Sequence, residues 1–113
     1  MNITSFNHES EFDETRVKTK VLIETSFSKE IRILMKEGQI MKEHKAPFPI
    51  LIHLLEGQIE LGVNGVAHAL KAGDIISLDA NVLHDLKAQY NSIIRLTLSK
   101  QDKVERVNEV ITA

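Results

Sequence analysis

Between residues 17 and 98 the chain alternates apolar and polar residues in short bursts, each cut off by a turn signal. A period of two is the spacing of a strand with one buried face, and it is incompatible with an amphipathic helix. The bursts cover residues 17–23, 31–35, 39–44, 50–55, 59–63, 66–70, 75–78, 83–88 and 93–98. About nine short runs at turn-spaced intervals are the pattern of a sandwich or barrel. Asn64-Gly65, between two alternating runs, is the strongest hairpin signal, because both positions of such a turn need positive φ. Glu37-Gly38, Glu56-Gly57 and Ala72-Gly73-Asp74 mark further turns, and Ala46-Pro47-Phe48-Pro49 reads as a stiff loop.

The two ends differ from the middle. Residues 1–16 are polar with isolated anchors at Ile3, Phe6 and Phe12, so they form either a loose arm or a segment laid across the barrel. In the tail, residues 100–113, Val104, Val107 and Ile111 recur at helical spacing. A short helix and a strand lent to a neighbour both fit that segment. With 113 residues and no linker or repeat, the chain is expected to be one domain.

Composition narrows the function classes. The net charge is -2 and the charges are interspersed, which gives no electrostatic footprint for nucleic acid or an anionic membrane surface. No apolar run is long enough to span a bilayer. The first twenty residues lack the layout of a signal peptide, so a cytoplasmic location is expected. Cysteine is absent, which removes thiolate nucleophiles and sulfur ligands. There is also no glycine-rich phosphate cradle and no G-x-S-x-G elbow.

Histidine is therefore the side chain most able to carry chemistry here. His84 alternates with Asp85 and shares a face with Leu86 and Ala88, so it points inward. His44 shares its face with Ile40 and Lys42, a mixed set that leaves its direction undecided. His53 lies in a run apolar on both sides. If the register continues through Gly57, it shares the interior face with Leu51, Leu55, Ile59 and Leu61; a bulge at Gly57 reverses this. The Asn64-Gly65 turn pairs Leu61 with His68, which makes His68 a rival for the same face. His8 lies in the polar arm.

Two stretches resemble a known family. Gly38-Gln-Ile-Met-Lys-Glu-His44-Lys-Ala46, running on to Leu55-Glu56-Gly57, resembles the first cupin motif, G-x5-H-x-H-x3-4-E-x6-G. Gly73-Asp-Ile-Ile-Ser-Leu-Asp79-Ala-Asn81-Val-Leu-His84 resembles the second, G-x5-P-x-G-x2-H-x3-N. The resemblance covers residues 31–98 and implies an all-β jelly-roll barrel, a double-stranded β-helix. It also implies three histidines and a glutamate around one divalent ion. His44 matches the first histidine and His84 the last, so these two are the candidate metal ligands, with His53 as a pocket candidate. Ala46 replaces the second histidine, and Ile50 or Leu51 replaces the glutamate. Asp79, Asn81 and Ala88 stand for the proline, glycine and asparagine of the second motif. Asn81 is the mildest of these changes, since Asn tolerates the left-handed conformation.

Two function classes follow from the resemblance. One is a metal-dependent enzyme acting on a small organic molecule, with zinc, nickel, iron or manganese at an incomplete site. The other is a non-catalytic binding or sensor cupin whose pocket takes a small-molecule ligand. A third role, a structural dimer module, follows from the run 50–55, whose second apolar face needs a cover. A homodimer is expected in each case.

Overall fold

The computed structural model describes residues 1–112, with side chains through Ile111. All nine expected runs are strands: β1 (Lys18–Glu24), β2 (Ser28–Met35), β3 (Ile40–His44), β4 (Ile50–Glu56), β5 (Gln58–Val63), β6 (Val66–Lys71), β7 (Ile75–Leu78), β8 (His84–Ala88) and β9 (Ser92–Ser99). The tail resolves as a helix, α1 (Val104–Thr112). The strands form two sheets, a five-stranded one in the order β1-β2-β9-β4-β7 and a four-stranded one in the order β3-β8-β5-β6. The neighbouring strands pair antiparallel. The barrel of the expectation takes the form of two facing sheets, an arrangement consistent with a jelly roll.

The core lies between the sheets and follows from the alternation. Ile31, Ile33 and Met35 of β2, Ile94, Leu96 and Leu98 of β9, and Ile50, Ile52 and Leu54 of β4 point in from one side. Met41, Ile59, Leu61, Leu86 and Ala88 meet them from the other. Full burial of each larger aliphatic side chain contributes about 1.5–3 kcal/mol. The β5–β6 hairpin closes through Asn64 and Gly65, with φ of 49° and 82°, and pairs Val63 with Val66 as the turn chemistry requires.

β4 passes directly into β5 and so from one sheet to the other. Even positions face the core up to Leu54; odd positions do so from Ile59. The parity changes at a register shift between Leu54 and Glu56 and at Gly57, whose φ is +92°. One residue gained in a strand turns every later side chain to the opposite face.

Of the N-terminal arm, residues 6–14 are laid against the outer face of the five-stranded sheet and its margin, while residues 1–5 are exposed. The buried guanidinium of Arg32 donates to the backbone carbonyls of Phe6, His8 and Glu9. Gln39 donates to the Asp13 carbonyl and Lys18 to that of Glu11. Beside Arg32, Glu30 accepts hydrogen bonds from Ser28, Arg95 and Thr97. Burial alone pushes the Glu30 carboxyl up, but these three donors outweigh it and hold its pKa below the usual value. Among the described residues no helix is long and apolar enough to cross a membrane.

Candidate functional site

His84 opens β8 and is 3% exposed, facing the core with Leu86 and Ala88 as its alternation requires. His44 closes β3 and stands directly opposite it in the ladder. The simple period-two reading put His44 on the side of Ile40, yet Ile40 is 58% exposed and His44 is turned inward. A bulge accounts for this. Met41 pairs with Leu86 and His44 with His84, so β3 spends three steps where β8 spends two.

The two rings are tilted at 56° with centroids 4.2 Å apart. Nδ1 of His44 is 2.8 Å from the Lys42 carbonyl, and Nδ1 of His84 is 2.9 Å from that of Val82. A carbonyl only accepts, so each Nδ1 carries the proton and each Nε2 keeps its lone pair. Burial holds both rings below the ordinary imidazole pKa, in His44 down to about 4. Proximity to His84 and to Arg106 pushes His44 further in the same direction. Near neutral pH the site is thus a pair of uncharged imidazoles with acceptor nitrogens.

The rest of the cavity is apolar. Ile33, Ile50, Ile52, Met41, Leu86, Ile94 and Leu96 form its walls, and Arg106 and Val107 of α1 roof it. Its volume is about 10 Å³, enough for roughly one water molecule. The roof was beyond the reach of the strand pattern. Val104, Val107 and Ile111 signalled a helix, but nothing in their spacing said that Arg106 beside them would reach the histidines. Asp102 pins that arginine: its carboxylate accepts from Nε and Nη2 at 2.9 Å each and is 1% exposed.

The other sequence candidates lie elsewhere. His53 is half-buried on the outer face of the five-stranded sheet, paired with Arg95 and Ile75, and its Nδ1 is buried with no partner among the described residues. His53 as a pocket candidate is corrected: of the two registers open to the sequence, the structure takes the reversal around Gly57, which sets the parity of β4 opposite to that of β5. His68 pairs with Leu61 as expected, but it stands on the edge strand β6 and is exposed. Of the two candidates for the glutamate position, Ile50 faces the cavity and Leu51 faces out. Asn81 has φ of 66° and so takes the left-handed conformation expected of a glycine substitute.

These residues do not fit a resident divalent metal. Two imidazoles face the cavity, and no cluster of three His, Asp or Glu side chains able to hold an ion exists among the described residues. Catalytic metal sites use about three protein ligands and an open position. Ala46 and Ile50 offer no donor where a third and fourth would stand, and the nearby guanidinium of Arg106 repels a second cation.

Comparison with known proteins agrees with this architecture. An RmlC-like cupin protein from Desulfovibrio desulfuricans superposes with a TM-score of 0.78 at 19% identity, covering 88% of this chain and 96% of that one. An RmlC-like cupin from Shewanella frigidimarina gives 0.73 at 22% identity, covering 88% and 91%. KdgF from Halomonas sp. gives 0.70 at 18% identity, covering 83% and 89%. Likeness at these identities establishes the fold alone. No curated protein matches the chain in sequence. The cupin domain model matches residues 31–99, a stretch that holds both histidines and every strand but β1 and the start of β2, and the chain therefore belongs to the cupin family.

Proposed function

We propose that this chain is a jelly-roll cupin that binds a small polar organic molecule without a metal and without turnover. The observation that carries this reading is the donor set at the cavity. Two neutral imidazoles and one guanidinium converge in an otherwise apolar interior. A few convergent polar groups in an apolar pocket describe a ligand site. The fold family supplies the metal-dependent enzyme as the alternative, and the donors at Ala46 and Ile50 that it needs are missing.

Metal removal and replacement test this directly. After dialysis against zinc, nickel, iron or manganese, the protein is expected to retain substoichiometric metal and to keep its Tm. An ion bound one per chain, with a rise in Tm, would return the enzyme reading to the front. A thermal-shift screen of small polar molecules is the complementary arm, and it is expected to yield stabilising ligands.

The same reading includes a homodimer. Leu51 is 39% and Ile75 55% exposed on neighbouring strands of the outer face, beside the half-buried His53 and Leu55. A second copy covering this patch would bury both. Sedimentation equilibrium at micromolar concentration is expected to give twice the chain mass, and Leu51→Lys to shift it toward the monomer. A wild-type monomer would sink the dimer.

A further inference from the structure

The cavity has polar groups of two opposite kinds, and their arrangement specifies more than a generic ligand. His44 and His84 present lone pairs at Nε2 and no hydrogen to donate there. Arg106 presents only donors. Two of its nitrogens are taken by Asp102, and Nη1 makes no hydrogen bond to the described residues. A matching ligand needs an O–H or N–H group for the imidazoles and an oxyanion for the guanidinium. The ring centroids are 4.2 Å apart and Arg106 lines the same small cavity, so both groups of the ligand must be close together.

We propose that the cavity takes a small 2-hydroxy carboxylate, whose hydroxyl donates to an imidazole Nε2 while its carboxylate accepts from Arg106. This rests on the ligand-binding reading above and names its ligand class. Simple carboxylates lack the donor and set their charge against two lone pairs. Polyols lack the charge that Arg106 seeks.

The charge balance supports an anion. Lys29 belongs to the inward-facing series of Ile31 and Ile33, and its ammonium donates to the Asp102 carbonyl at 2.6 Å. Arg106 is the cation whose charge reaches both rings. The acid whose charge reaches both rings is Asp85. It alternates with His84 to the opposite side of β8, where its carboxylate lies against Gly62.

The cavity volume of about 10 Å³ is too small for such a molecule, so binding requires α1, with Arg106 on it, to shift outward and hold the ligand from that position. The helix is suited to that. It has nine residues and is joined to β9 by residues 100–103. So short a helix has little stability of its own and keeps its place through packing, here by Val107 with Val104, Val110 and Ile111.

The test uses the full chain labelled with ¹⁵N and reads the imidazole nitrogens by long-range ¹H–¹⁵N spectra. Glycolate and lactate are the probes, with acetate and glycerol as comparisons. Glycolate and lactate are expected to move the Nε2 resonances of both His44 and His84, with affinity about tenfold or more above acetate. The double variant Asp102→Asn/Arg106→Gln keeps a neutral hydrogen-bonded pair under the roof and is expected to lose about tenfold or more in that affinity. Arg106→Lys, which keeps the charge without the planar fork, is expected to fall between the two. Glycerol moving the rings while the hydroxy acids do not would overturn the ligand class and leave the ligand-binding reading standing. Equal binding by wild type and the double variant would overturn the role of Arg106. Rings that no probe moves, together with a silent thermal-shift screen, would overturn both proposals.

Discussion

Gly57→Ala is expected to destabilise the protein by about 4 kcal/mol, a large share of the roughly 5–15 kcal/mol that holds a domain of this kind together. Two costs combine. A Cβ at Gly57 would lie 2.3 Å from Ser92 Oγ, 2.5 Å from the Asn91 carbonyl oxygen and 2.8 Å from Ser92 Cα. Two of these three are backbone atoms at the start of β9, a central strand, so they cannot step aside without moving the sheet. In addition, φ of +92° is unfavourable for any residue with a side chain. Gly65→Ala is the matched control. Its φ is +82°, but an added Cβ would meet nothing within 4 Å, so it is expected to cost about 1 kcal/mol. Urea unfolding of the two variants separates the terms, and equal losses would show that the close approach at Gly57 carries no weight.

Acid is expected to weaken the fold through the histidine pair. In the unfolded chain an imidazole takes its proton near pH 6.5, whereas folded His44 stays neutral down to about 4. Between those values the unfolded state binds more protons, so stability falls as the pH falls. The His44 contribution is fully present above pH 6.5, declines through the window and is gone below about pH 4. Discounted for the partial exposure of the ring, it amounts to about 2 kcal/mol. His84 moves in the same direction for the same first cause, burial. Glu30, whose pKa is also lowered, adds a loss at lower pH as its carboxylate is protonated. Comparing wild type with His44→Asn isolates the imidazole, because the Glu30 effect is common to both. The difference in unfolding free energy between pH 7 and pH 4 is expected to shrink by about 2 kcal/mol in the variant. Identical pH dependences would refute the buried neutral state of His44.

What could be read from the sequence followed from local rules. Strand existence and the Asn64-Gly65 turn depend on near neighbours, and every run, the hairpin register and the inward face of His84 follow from them. The face of His53 stayed open because period-two counting holds only along an unbroken ladder. One irregularity between Leu54 and Glu56, with the sheet change at Gly57, reversed the count. His44 was ambiguous for a related reason, the bulge between Met41 and His44. The motif spacing, not the alternation, placed it correctly. Arg106 was invisible to both kinds of reasoning, since its importance comes from the fold returning residue 106 to the neighbourhood of residues 44 and 84.

The position of β9 has a consequence for how the molecule assembles. It is the last strand among the described residues, yet it lies between β2 and β4, pairing Ile31 with Leu96 and Ile52 with Leu96. During synthesis β2 and β4 therefore wait with bare edges and apolar faces until residues 92–99 emerge. A nascent chain of this topology cannot complete its larger sheet before those residues appear, and its slow step is closure across some sixty residues rather than any local hairpin. Slowing translation between β4 and β9 should then prolong exposure to chaperones and to aggregation far more than slowing it before β2.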